Sequence, residues 1–287
     1  MAQQMQDIKR RMKSIGSTEH ITNAMRLVSS AKFRKAKENF DKKSEYFHFV
    51  TDSIGDIFHN ADEVPEEYLL GSRPIKTSCY ILITSCSGLC GSFNANVIKA
   101  LEEDIREADD TTKIVAIGSK GKEYFERRGY EIVNSYESPS EDITFLNTHE
   151  ISKPLIEMYE RGEIDEIVLV YTSFVNTLKQ EVKSVRLLPF DAEALPEVSK
   201  HKQEVDYEPS LGEVFNYMVP KYAEVMIYGA CIESATCEHA ARRTSMENAT
   251  KSANDMLSEL SMYYNRARQA AITNELIEIV SGSEAQK

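Results

Sequence analysis

The chain has 287 residues, 41% of them hydrophobic and 28% charged. That is polar for one compact body and points to long solvated helices on a modest core. Its longest apolar runs, 80–83 and 167–171, are strand-sized, so no membrane-spanning segment is expected. Five cysteines argue against a disulfide scaffold and for a reducing compartment. The N-terminus has neither the apolar core of a secretory signal nor the look of a transit peptide.

Residues 1–58 contain no proline and only two glycines, Gly16 and Gly55. Met5, Ile8, Met12 and Ile15 recur at three-four spacing, and Ile21, Ala24, Met25, Leu27, Val28 and Ala31 widen the stripe. The pattern predicts an N-terminal helix over 1–58, roughly 80 Å long if continuous. It is too long to be covered along its whole length by a domain of this size. The helix is also basic. Positions 1–45 carry eleven Lys and Arg against five Asp and Glu, a net +6, while the remainder carries −18 of the total −12. A basic arm on an acidic protein predicts an anionic partner or a solvated face.

From 76 to 190 the pattern changes to alternating strands and helices. Strands are expected at 79–84, 113–118 and 166–171, and helices at 94–107, 120–128 and 148–161, with Gly129 ending the second. Such alternation predicts a parallel, Rossmann-like sheet. The segment 174–181 is too short for a crossover helix, so 182–188 is expected to return as an antiparallel edge strand. The acidic, proline-containing stretch 191–209 reads as a linker.

Residues 210–287 predict a second long helix, opened by Ser210 and Glu213 in capping-box spacing and interrupted or kinked at Pro220. Met246, Ala253, Leu260 and Ala267 repeat every seven residues, and Ala249, Met256, Tyr263 and Ala270 repeat three residues later. This is a coiled-coil seam, and the N-terminal helix is its nearest partner, in antiparallel sense. The fold class is therefore α/β with long helices: an antiparallel coiled coil of the terminal helices plus an inserted Rossmann-like domain.

Candidate chemistry is sparse. The glycine turn Ser87, Gly88, Leu89, Cys90 and Gly91 lies between a strand and a helix, where phosphates can bind, but it lacks a Walker lysine and the GxGxxG spacing. A tight structural turn is the better reading. Cys86 and Cys90 have no histidine nearby to complete a metal site. The six histidines fall in no catalytic order with Ser, Cys or a carboxylate. No catalytic, cofactor-binding or metal residue is assigned, and no nucleic-acid motif accompanies the basic helix. Read from residues alone, a free-standing coiled-coil scaffold with a nucleotide-binding-like domain, or an enzyme using the Gly88 loop, remain alternatives.

The sequence also resembles a known family. Ile272, Thr273, Glu275, Glu278 and Gly282 are similar to the C-terminal signature of the γ subunit of bacterial F-type ATP synthases. Ser283 departs from it, standing where the family has alanine. Further matches run in order along the chain: positions 21–25, 30–35, 88–91 and 174–177, then Glu238, His239, Ala240, Ala241 and Arg242, with Met246 after them. The resemblance implies a non-catalytic central stalk. Its partners would be the α and β subunits of the hexamer, the ε subunit and the c ring, on the cytoplasmic side of the cell membrane without direct insertion and without a cofactor. It places Met25, Arg26, Arg268, Gln269, Thr273 and Glu275 at the α/β ring, with Ile272, Leu276, Ile277, Ile279 and Val280 as an apolar bearing surface. Lys9, Arg10, Arg11, Lys32, Arg34 and Lys35 would face β loops, and Tyr207 and Glu208 the c ring.

Overall fold

A computed structural model describes residues 2–60, 64–108, 110–177, 179–191, 207–208 and 210–284. Two long helices, α1 (Ala2–Asn60) and α5 (Leu211–Glu284), enclose in sequence five strands and three shorter helices. The expected linker lies outside the described residues apart from 191, 207 and 208. The chain divides into two compact units, one of Met1–Ser30 with Arg242–Lys287, the other of Ala31–Ala241.

In the second unit, β1 (Thr77–Ile83), β2 (Thr111–Ile117), β3 (Glu131–Tyr136), β4 (Glu166–Phe174) and β5 (Gln180–Leu188) form one sheet in the order β3-β2-β1-β4-β5. β1 pairs in parallel with both β2 and β4, β2 pairs in parallel with β3, and β5 returns antiparallel to β4. The antiparallel return follows from chain length. A tight connection, closed by Asn176 N–H donating to the Lys179 carbonyl at 3.0 Å, leaves no room for a crossover. β3 adds an edge that the sequence reading does not anticipate. It is short, with Asn134 and Ser135 in it, and lacks the unbroken apolar run of a central strand.

Strand side chains alternate between two cores, as the pleat requires. Cys79, Ile81 and Ile83 face one core with Ile167, Leu169 and Tyr171. Tyr80 and Leu82 face the other with Ile114, Val168 and Val170. That second face is covered by α2 (Phe93–Ala108) through Val97, Ile98 and Leu101, and by Phe125 of α3 (Ser119–Glu126). The first is covered by α4 (Phe145–Glu160) and by the terminal helices themselves, through Ile54 and Phe58 of α1 and Phe215, Val219, Tyr222 and Ile227 of α5. Thr144 caps α4, accepting from the Asn147 amide at 3.4 Å while Asn147 Oδ1 accepts from the Thr144 amide at 3.0 Å.

α5 runs unbroken through Pro220. Proline inside a helix costs about 3 kcal/mol, but Phe215, Val219, Tyr222 and Ala223 are buried on either side of it. Each buried apolar side chain is worth about 1.5–3 kcal/mol, so packing outweighs the lost hydrogen bond. At the start of the helix Ser210 Oγ accepts from the Glu213 amide at 3.3 Å, one half of the expected capping box.

In the first unit the two helical segments run antiparallel. Thr22 meets Thr250, while residues 6–13 share a groove with Leu257 and Tyr264. Met246, Ala253, Leu260 and Ala267 face inward or are half-buried, as expected. The companion row differs from the expectation. Thr250, Leu257, Tyr264 and Ala271 are half-buried, whereas Met256, Tyr263 and Ala270 are exposed. Steps of three and four turn the helix by similar amounts in opposite directions, and both rows carry apolar residues, so periodicity alone does not choose between them. The N-terminal stripe shifts likewise: Met5, Ile8, Met12 and Ile15 are half-buried, but beyond them Thr22 and Ser29 turn inward and Ile21, Leu27 and Val28 outward.

Candidate functional site

The glycine turn after β1 is closed by its own side chains. Ser85 N–H donates to Asn94 Oδ1 at 2.9 Å, Asn94 Nδ2 donates to Ser85 Oγ at 2.7 Å, and Ser85 Oγ donates to the Ser87 carbonyl at 2.6 Å. Leu89 and Gly91 adopt left-handed φ values of 63° and 61°. The position at the end of the strands where a doubly wound sheet usually takes a ligand is packed with side chains. Cys90, Phe93 and Cys237 form a buried cluster with Phe174 against it, and Phe174 stands 6.1 Å from the rings of both Phe33 and Phe40. Burial pushes the thiols of Cys79 and Cys231 up to about 12 and raises that of Cys237. Cys86, half-buried, is also raised, chiefly by desolvation. Thiols in this state are poor nucleophiles.

Two histidines make long-range contacts that their sequence positions do not suggest. His149 Nδ1 lies 2.7 Å from Oε1 of the buried Glu224, which also accepts from Lys221 at 2.8 Å. His239 Nε2 lies 2.7 Å from Glu141 Oε2, and Lys32 Nζ donates to Glu141 Oε1 at 2.5 Å. Burial raises the Glu141 acid, but hydrogen bonds from Lys32 and His239 outweigh it and hold the carboxyl below its ordinary value. Each pair ties α5 to the segment containing α4, across a sequence separation no spacing rule covers.

The residues assigned to partner contacts fall on two kinds of surface. In the first unit Arg268, Gln269, Thr273 and Glu275 are exposed on α5, with Thr273 Oγ1 donating to the Gln269 carbonyl at 2.9 Å. Met25 and Arg26 are half-buried on α1, and Arg26 Nη2 donates to Asn23 Oδ1 at 2.9 Å, which fixes its guanidinium along the helix. Lys9, Arg10 and Arg11 are exposed. Arg10 pairs with Asp7 at 3.1 Å, and Lys9 and Arg10 rim a groove of about 740 Å³ floored by Met12, Leu257 and Tyr264. In the second unit Lys32 is engaged by Glu141, Arg34 and Lys35 are exposed, Tyr207 is half-buried and Glu208 exposed.

From Ile272 onward α5 carries an uncovered set of apolar side chains. Ile272, Leu276, Ile277, Ile279 and Val280 are each about half exposed or more. At 3.6 residues per turn they share one broad face, with Asn274, Glu275, Glu278 and Ser281 on the other, and no helix among the described residues is long and apolar enough to cross a membrane. Ile21, Leu27 and Val28 of α1 add a second exposed apolar strip. Sequence reading takes this strip for the buried face, because apolar side chains normally mark one.

Known proteins resemble this chain along almost its whole length. The ATP synthase family model matches residues 4–286. The ATP synthase gamma chain of Alkaliphilus metalliredigens is 45% identical over 287 residues, covering 99% of each chain. The sodium ion specific ATP synthase gamma chain of Acetobacterium woodii is 39% identical, again over 99% of each. Among solved structures, a chain of the Euglena gracilis mitochondrial ATP synthase rotor superposes with a TM-score of 0.69 at 15% identity, over 95% of this chain and all of that one. A chain of the Tetrahymena thermophila mitochondrial ATP synthase central stalk and c ring gives 0.62 at 23% identity, over 80% of this chain and 99% of that one.

Proposed function

Because the chain belongs to the ATP synthase gamma-chain family, we propose that it is the central rotary shaft of an F-type enzyme. It carries rotation from the c ring to the catalytic β subunits and so couples ion flow to ATP synthesis or hydrolysis, without a catalytic site of its own. Its place is peripheral, on the cytoplasmic side of a bacterial cell membrane, against the α/β hexamer, the ε subunit and the c ring.

One observation carries this reading: the end of α5 presents a broad apolar face, Ile272, Leu276, Ile277, Ile279 and Val280, that is bare. An exposed apolar face of that size marks a partner surface, and subunits gripping the end of a shaft cover it. The remaining assignments follow from that placement. Arg268 and Gln269, with Thr273, Glu275, Met25 and Arg26, make directional hydrogen bonds to the ring in one rotary state. Lys9, Arg10, Arg11, Arg34 and Lys35, with the free flank of Lys32, attract acidic β loops, each exposed pair worth at most about 1 kcal/mol. Tyr207 and Glu208 touch the c ring. Two helices of one chain make an axle without threefold symmetry, so each catalytic site meets a different surface, and rotation changes their nucleotide affinities by differential contact.

The test is assembly and coupling. Expressed with the other subunits, the tagged chain is expected to co-purify with a hexameric ATPase; isolation as a lone monomer refutes the reading. Removal of 268–287 is expected to weaken ATP-driven ion transport in the assembled complex. Transport at the unaltered level refutes the roles given to those residues.

A further inference from the structure

A single carboxylate holds three segments of the α/β body together. Glu141 sits in the short 3-10 turn Ser140–Asp142, immediately before α4. One of its oxygens accepts from Lys32 of α1 at 2.5 Å and the other from His239 of α5 at 2.7 Å. A carboxylate only accepts, so Nε2 carries the proton in this contact. The imidazole is almost wholly buried, and its Nδ1 has no hydrogen-bond partner among the described residues. Glu141 is thus the ring's hydrogen-bond partner among those residues.

The position of this contact is as informative as its geometry. The compact body ends at Ala31 on α1 and at Ala241 on α5. Lys32 and His239 are therefore among the last residues by which either helix belongs to it. Deeper in the body both helices are held by large apolar side chains, Ile54 and Phe58 on α1, Phe215 and Tyr222 on α5. Close to Glu141 the packing is incomplete. A cavity of about 440 Å³ is lined by Lys32, Ala36, Glu141, Tyr228, Ile232 and Ala235, with the charges of Lys35, Glu38, Lys42 and Asp142 also on it. Apolar contact resists separation but is non-directional. Two charge-assisted hydrogen bonds on one carboxylate fix both distance and angle.

We propose that Glu141 is a positioning residue that locks α1 and α5 into the angular frame of the α/β body, so that a turn imposed on the body reaches both helices with a fixed phase. The proposal rests on the rotor reading above and adds to it the residue that sets the phase.

The experiment uses the complete complex in vesicles, with ATP hydrolysis and ATP-driven ion transport measured on the same preparation. E141Q keeps the side chain's shape and removes its charge; E141A and E141D bracket it. Hydrolysis by the E141Q complex is expected within about twofold of the unaltered enzyme, while ions moved per ATP fall about threefold or more, within the range of residues that carry coupling. E141D is expected between the two. H239Q is expected to add little to E141Q, since both act on the same contact. A contact that only stabilises the fold lowers assembly yield and Tm but leaves ions per ATP unchanged in complexes that do assemble. That result overturns the proposal, and so does full additivity of H239Q with E141Q. The isosteric Gln variant gives the ratio even where the alanine variant does not assemble. Failure of the unaltered chain to assemble with catalytic subunits sinks the rotor reading and the clamp with it; an unchanged ratio in an assembled E141Q complex sinks the clamp alone.

Discussion

Thr22 and Thr250, 228 positions apart in the chain, meet hydroxyl to hydroxyl at 2.8 Å. Each hydroxyl has one proton and also a carbonyl of its own helix in reach, Glu19 for Thr22 at 3.0 Å and Met246 for Thr250 at 2.8 Å, so one of the two donates across the pair while the other donates to its own helix. This polar contact lies where the two helical segments of the first unit face each other, in a row that continues through Leu257, Tyr264 and Ala271. It fixes the helices' register as a hydrogen bond can and an alanine contact cannot.

Replacing either threonine by alanine is expected to cost about 1 kcal/mol, the net value of a part-buried neutral hydrogen bond with its small packing loss. The double variant is expected to cost less than the sum of the singles by about 0.5 kcal/mol or more. Denaturant melts of the four proteins check this; strict additivity shows that the two hydroxyls do not support each other.

Two glycines are expected to respond oppositely to alanine. Gly16 is in the middle of α1 with nothing within 4 Å of an added Cβ, so Gly16→Ala stabilises the helix by about 1 kcal/mol. Gly118 holds φ at +92°, and an added Cβ meets the Thr84 carbonyl oxygen at 2.1 Å. Gly118→Ala is expected to cost about 3 kcal/mol or more, from left-handed strain combined with overlap against backbone. Tm values of the two variants on opposite sides of the unaltered protein are the expected result.

Stability is expected to fall in acid partly through Glu141. Its folded carboxyl titrates below the unfolded one because Lys32 and His239 favour the charged form. The unfolded chain therefore binds the proton more readily. This contribution is complete above the unfolded carboxylate value of about 4.3 and is lost as pH falls through the folded value. E141Q is expected to be less stable near neutrality and to lose less of its remaining stability between about pH 5 and pH 3. Parallel pH profiles for the two proteins exclude Glu141 as a source of the acid sensitivity.

Thiol labelling is expected to be selective. Cys79, Cys90, Cys231 and Cys237 are buried, while Cys86 is half-exposed. At pH 8 the native protein is expected to take up close to one equivalent of maleimide, slowly and at Cys86, because that thiol is itself raised. All five react in denaturant. Rapid native labelling of Cys237 contradicts its place in the cluster with Cys90 and Phe93.

Sequence alone established the larger organisation. Helical periodicity at both ends, the strand-helix alternation between them, and the return of 182–188 antiparallel all depend on local patterns and chain length. Those are forces a residue meets within its own element. The Gly88 turn was legible for the same reason, since the Walker lysine is absent from the text itself.

Tertiary structure decided which side of each helix faces inward and which distant charges meet. Ile21, Leu27 and Val28 carry the apolar signal of a buried face yet point outward, while Thr22 and Ser29 turn in. In α5 the inward row is Thr250, Leu257 and Tyr264 rather than Met256 and Tyr263. Periodicity finds an apolar stripe but does not say whether this chain or another molecule covers it. Lys32, Glu141 and His239 likewise share no spacing, because their meeting depends on how three separate elements pack. That is a long-range property of the folded chain and leaves no mark in any short stretch of sequence.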